Sequence, residues 1–181
     1  MITEKENEAL KTVASNLGIQ PEWLYNIILK ESAFNPQAVS KIPYNQYRLD
    51  KGLDNTPKYA KGLIQFIDST AQDLGFKDSQ DLINKYPDIT SQLLTPVYNY
   101  FKREKPFKDE NDFYLSVFYP AYRGKPLDTL VSASIQASNP TIKTVGDYID
   151  FIKGGLTQNK FYLMGILLIV GAILIISKYV K

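Results

Sequence analysis

Leu24, Ile27, Ile28 and Glu31 fall at i, i+3, i+4 and i+7, the spacing of a single helix face, so Glu31 carries a carboxyl on a surface that is otherwise apolar. Such a carboxyl is drawn away from water, which disfavours its anion and raises its pKa. The helix ends within a few residues, and the negative end of its dipole pushes in the same direction. An acid that keeps its proton near neutral pH is what protonation of a glycosidic oxygen requires. Periodicity alone leaves a second reading open, a surface carboxylate paired with the adjacent Lys30.

Two absences narrow the chemistry further. The 181 residues include no His and no Cys. A Ser-His-Asp triad and a Cys-His pair are therefore excluded, and a zinc peptidase would lack its usual ligands. Carboxylates, Lys and Tyr remain for proton transfer, and carboxylates run glycoside cleavage. No metal and no organic cofactor is implied. With 21 basic against 19 acidic residues, scattered along the chain, the net charge of +2 offers no field for nucleic acid. The length suits one compact domain with an appendage.

Helices must position Glu31. Thr3 and Glu6 form a capping box, Leu10, Val13, Ala14 and Leu17 recur at helical spacing, and Gly18 supplies a left-handed stop. Pro21 suits the first turn of the helix that carries Glu31, which Asn35-Pro36 ends. Residues 41–59 are rich in Tyr, Asn, Gly, Pro and charge without period, and predict a long ordered loop or a small irregular hairpin. Ser69 and Gln72 offer a capping box for a short helix ending near Gly75, with Asp68 assisting the cap. Further helices are expected from Thr90 to Lys102, blurred by Pro96, from Asp112 to Tyr119, and from Asp128 to Ala137. The last soluble helix begins at Thr144, with Val145, Tyr148, Ile149 and Ile152 on one face, and Gly154-Gly155 closes it. No segment alternates well enough to predict a substantial sheet.

Three segments in order resemble one family. Glu31-Ser32-Ala33-Phe34-Asn35-Pro36 looks like the Glu-Ser motif of soluble lytic transglycosylase domains, and Ala60-Lys61-Gly62-Leu63-Ile64-Gln65-Phe66 like their G-x-G-L-[MI]-Q segment. Thr70-Ala71 with Leu74-Gly75 matches the T-A-x-x-L-G that follows, and a fainter likeness continues to about residue 152. The resemblance implies a mainly α, lysozyme-like domain in which Glu31 is the sole catalytic acid and base and Ser32, Gln65 and Tyr119 serve substrate binding. Tyr119 belongs to a partial counterpart of the family's A-Y-N-A-G motif, Phe118-Tyr119-Pro120-Ala121-Tyr122, in which Pro120 replaces the Asn and Tyr122 the Gly. The implied role of its hydroxyl is to orient the acid. The stretch 41–59 exceeds the family's usual spacing. It is either a surface elaboration or an extra cleft wall, with Tyr44, Tyr47 and Tyr59 stacking on sugar faces.

The implied reaction cleaves the β-1,4 bond between N-acetylmuramic acid and N-acetylglucosamine in peptidoglycan strands, leaving a 1,6-anhydromuramyl end. Goose-type lysozyme hydrolysis, with Asp50 or Asp54 as second carboxylate, is one alternative, and an inactive lysozyme-like membrane protein of a virion is another. Phe161 to Ile176 is an unbroken apolar run between Lys160 and Lys178. At 1.5 Å per residue it spans about 24 Å, and its flanking Lys side chains can snorkel. The expected organisation is a domain over 1–153, a linker over 154–160 and one transmembrane helix over 161–180. Because the polar N-terminus offers no export signal, a tail-anchored enzyme carried in a phage virion membrane is expected, with a bacterial envelope enzyme as the other possibility.

Overall fold

The structure, a computed structural model, describes residues 2–154. It is mainly helical, and isolated β-bridges take the place of strands among the described residues. Helix α1 (Glu4–Leu17) begins with the reciprocal Thr3–Glu6 box and stops at Gly18, whose φ of 69° is left-handed. It buries Leu10, Val13, Ala14 and Leu17 against α2 (Pro21–Ser32), which contributes Leu24, Ile27 and Ile28. The stop of α2 comes before Asn35-Pro36. Ala33 and Phe34 take φ of 51° and 60°, and the Ala33 N–H closes on the Leu29 carbonyl.

The chain then runs out and back as an irregular hairpin. Tyr44 N–H donates to Lys58 O, Ser40 N–H to Ala60 O and Gly62 N–H to Ala38 O, at 2.8, 2.9 and 2.9 Å. Its tip holds a helical turn, α3 (Gln46–Asp50), that no periodicity announces. Helix α4 (Asp68–Asp73) starts one residue before the expected Ser69 cap, and no side chain caps it. The Ser69–Gln72 box does not form. Asp68 turns instead to Ser79 and Tyr44, accepting from the Ser79 hydroxyl at 2.7 Å and the Tyr44 hydroxyl at 3.0 Å. Helix α5 (Ser79–Lys85), capped by Asp78, is a further element that the sequence reading did not separate.

Helix α6 (Ile89–Gln92), a π-helical turn (Leu93–Val97) and α7 (Tyr98–Glu104) follow one another without a break where one helix was expected. Pro96 lacks the N–H of a regular turn, and the widened turn accommodates it. Helix α8 (Glu110–Phe118) is capped by Asp109 and followed by a 3-10 turn (Pro120–Tyr122). Helix α9 (Ala133–Ser138) is shorter than the expected Asp128–Ala137. The backbone of 127–131 is committed elsewhere, with Val145 N–H donating to Thr129 O, Gly146 N–H to Leu127 O and Val131 N–H to Lys143 O. Those bonds seat the final helix, α10 (145–154), whose Val145, Tyr148, Ile149 and Ile152 enter the core.

Among the described residues no helix is long and apolar enough to cross a membrane. The expected span at 161–180 lies outside them, as does all of the linker except Gly154.

One buried side chain ties the motif segments together. The Gln92 amide is fully buried, donating to Pro36 O at 2.6 Å and Tyr86 O at 2.9 Å and accepting from Leu63 N–H at 3.0 Å. Gly62 passes so close that a Cβ there would lie 2.9 Å from the Gln92 Oε1, and its φ is +80°. Replacing Gln92 by Leu leaves one N–H and two carbonyls without partners. The expected loss is about 2–5 kcal/mol of stability, read as a lower urea midpoint of unfolding.

Candidate active site

Glu31 is the next-to-last residue of α2, where the helix breaks at Ala33 and the chain turns away. Its Oε1 accepts a hydrogen bond of 2.9 Å from the Tyr148 hydroxyl of α10. Tyr148 is buried and stacks on Phe118, with ring centroids 4.1 Å apart and planes 12° from parallel. The packing fixes the ring and therefore the direction of its hydroxyl.

Glu31 keeps some contact with solvent, but protein atoms surround the carboxyl closely. That combination describes a carboxyl that is partly reachable yet poorly hydrated. Burial pushes its pKa up to about 7, and the bond donated by Tyr148 opposes the rise without cancelling it. Burial and the neighbouring Glu31 charge hold the Tyr148 phenol well above its ordinary value, so it remains a donor. The alternative of a Lys30–Glu31 surface pair has no counterpart. The Lys30 ammonium lies over the Phe151 ring, 4.9 Å from its centroid.

The other expected residues have different surroundings. Ser32 donates its hydroxyl to Ile28 O at 3.1 Å, one turn back, and retains an acceptor lone pair. Gln65 sits in a left-handed conformation, φ 55°, and its amide nitrogen donates to Gly62 O at 3.0 Å. The loop that holds Gln65 is thus rigid, and its Oε1 is not used by those bonds. Tyr119 is 46% exposed and its ring rests on Tyr122, with centroids 5.5 Å apart. The hydroxyl that donates to Glu31 is that of Tyr148. Helix α8 ends at Phe118, so Phe118 faces inward and Tyr119 outward.

In the sequence Tyr148 stands only as one of the residues on an apolar helix face, with Val145, Ile149 and Ile152. A signal was present, since a phenol on an aliphatic face must find a partner for its hydroxyl. Asp54, a candidate second carboxylate, is occupied by Arg48 and Asn45, each 3.0 Å from its Oδ2. The Arg48 and Asn45 bonds hold its pKa below the usual carboxylate value. Asp50 accepts from Gln46 at 2.7 Å on α3. Among the described residues no group of three Asp or Glu could hold a metal ion.

Over residues 8–100 the chain matches the family described as the Transglycosylase SLT domain. It belongs to that family. No curated protein and no solved structure matches the chain. The SLT match takes in Glu31, Ser32 and Gln65 and stops before Tyr119 and Tyr148. Membership of a family of peptidoglycan transglycosylases makes peptidoglycan the expected substrate of this SLT domain, and a lone carboxyl held near neutral pKa suits that chemistry.

The raised pKa also predicts how stability depends on pH. Glu31 takes up a proton on folding between its ordinary value of 4.5 and about 7, so its burial costs stability increasingly as pH rises through that window. Glu31→Gln should therefore match the wild type near pH 4 and gain on it up to neutrality. The expected advantage, about 1–3 kcal/mol after allowance for partial exposure, is measurable from urea midpoints at a series of pH values.

Proposed function

We propose that the chain is a lytic transglycosylase that cleaves the β-1,4 bond between N-acetylmuramic acid and N-acetylglucosamine. The observation that carries this reading is the desolvated Glu31 carboxyl, with a pKa of about 7 and one oxygen held by Tyr148. In its protonated form Glu31 donates to the glycosidic oxygen as the bond to the muramyl C1 breaks. The carboxylate left behind then takes the proton of the muramyl C6 hydroxyl, whose oxygen bonds to C1. The products are a 1,6-anhydromuramyl end and a free N-acetylglucosaminyl 4-hydroxyl, and no water is consumed. One carboxyl suffices, whereas the usual hydrolases employ two. Ser32, Gln65 and Tyr119 are proposed to contact the glycan, and Tyr148 to position the acid.

No specific observation favours the hydrolytic alternative, since Asp50 and Asp54 are both engaged within the hairpin. The altered third motif is the main argument for an inactive structural protein. It loses force because Tyr148 provides a hydroxyl at the acid.

The catalytic reading makes linked predictions. Muropeptides released by the protein should end in 1,6-anhydromuramic acid, lighter by one water than reducing ends, and Glu31→Gln should release none. Asp50→Asn and Asp54→Asn should each cost less than about tenfold, where loss of an acid-base group costs about a hundredfold or more. Activity should decline as pH rises through about 7, as Glu31 loses its proton. Tyr148→Phe removes the bond that favours the anion and should move that decline to higher pH while lowering kcat. Reducing ends together with a hundredfold Asp effect would replace this reading with hydrolysis.

We further propose that residues 1–153 form the catalytic domain, 154–160 a linker and 161–180 a transmembrane anchor. In that arrangement the enzyme would travel in a phage virion membrane and act on the host wall during entry. A bacterial envelope is the second setting the anchor would suit. In liposome flotation the full chain should rise with the lipid and a chain ending at residue 155 should stay below. Equal behaviour of the two would remove the anchor.

A further inference from the structure

A cavity of about 420 Å³ opens between the hairpin tip and α9. Glu31 does not line it. Its walls include Arg48, Asp54 and Lys58, the rings of Tyr44 and Tyr47, and Ser134 of α9. The hairpin is held there firmly, because the Ser138 hydroxyl of α9 lies 3.0 Å from Pro43 O and 3.2 Å from Tyr44 O. Asn45, buried at the rim, donates to Asp54 Oδ2 and Thr56 O and accepts from Lys58 N–H at 2.9 Å. These bonds fix the backbone from which Lys58 projects.

The charges in this cavity do not balance. Arg48 and Asp54 neutralise each other through a 3.0 Å ion pair. Lys58 is exposed and, among the described residues, makes no ion pair or side-chain hydrogen bond; its charge is felt by Asp54, which it shares with Arg48, so two cations face one carboxylate. A cation on the wall of a fixed, partly aromatic recess selects an anionic group with apolar substance attached.

The hairpin also determines where that group comes from. Its base, at Ala38 and Gly62, joins the Glu31 segment to the Gln65 loop, and its cavity end begins at the Tyr44–Lys58 rung. Tyr44 is six positions beyond Ala38, so the cavity rung lies at most about 22 Å from that base. Where every muramyl lactyl group is amide-linked to a stem, the sugars of the strand carry no charge, whereas a muramyl residue without its stem keeps a lactyl carboxylate. In peptidoglycan the carboxylates sit on the peptide stems that branch from each muramyl lactyl group.

We propose that the cavity between α3 and α9 binds a carboxylate-bearing stem peptide of the peptidoglycan strand being cleaved. Lys58 meets the carboxylate, and Tyr44 and Tyr47 cover the aliphatic part of the stem. The inference rests on the transglycosylase reading for its substrate, while the cavity and its charge stand independently of it.

The test titrates the full chain with a free stem peptide, and with the same peptide after amidation of its carboxylates. Amidation and Lys58→Ala should each weaken binding by about tenfold, the effect of one charge-assisted contact, and together should weaken it no further. Lys58→Ala should also raise KM about tenfold on strands that carry stems and leave unchanged the cleavage of stem-free strands whose lactyl carboxyls have been amidated. Binding that is indifferent to both changes overturns the proposal, as does an equal loss on both kinds of strand. Stem binding without anhydromuramyl products would leave the cavity assignment standing and refute the transglycosylase reading instead.

Discussion

The hydrogen bond from Tyr148 to Glu31 spans 117 positions of sequence, and the arrangement of the helices follows from bringing those two side chains to 2.9 Å. Glu31 must reach the edge of the core, which requires α2 to stop at once. Two successive non-glycine residues, Ala33 and Phe34, accept left-handed backbone there. Tyr148 must approach from the opposite side, and the bonds between 127–131 and 143–146 set the register of α10. Phe118 then stacks on its ring and removes the last freedom of the hydroxyl.

Glu31 stands out against the other carboxylates that contact tyrosine or arginine. Glu110 also receives a tyrosine hydroxyl, that of Tyr114 at 2.8 Å, but its second oxygen meets Lys153 at 3.0 Å. Asp112 accepts two bonds from Arg123, each of 2.8 Å. Glu31 has the tyrosine without the cation. A cation within reach would hold the carboxyl ionised and abolish its use as an acid. A hydroxyl donor fixes its direction and favours the anion only in part, so that burial still holds the pKa up to about 7. Besides having no ammonium group beside it among the described residues, the Glu31 carboxyl is raised chiefly by its burial.

Much of this was legible in residue spacing. The cap at Thr3, the stop at Gly18 and the face shared by Leu24, Ile27, Ile28 and Glu31 are local features, and local physics decides them. Elements decided by distant partners were not legible. Asp68 has the makings of a cap residue, yet Ser79 and Tyr44 claim its carboxylate. Residues 128–132 have helical composition, but 143–146 bond to their backbone first. Turn α3 depends on the hairpin that carries it. The exchange of Tyr119 for Tyr148 belongs to the same class, because only the packed structure shows which phenol faces the acid.

That exchange bears on how the hydroxyl beside Glu31 can come from a part of the chain other than the family motif. What the acid needs is a donor at a fixed place and in a fixed direction, and the chain position supplying it is immaterial. Once α10 presents Tyr148 from a stacked, buried position, the segment after α8 no longer has to point a phenol inward. Pro120 can then open a 3-10 turn, and Tyr119 can face solvent beside Tyr122. The Glu31 and Gln65 segments have no such latitude. Gln92 binds both of their loops through one buried amide, and Gly62 passes too close to it to carry a side chain. The Glu31 and Gln65 segments, which keep the family pattern, are thus locked by shared contacts, and the segment that departs from it lies where α10 provides the hydroxyl at Glu31.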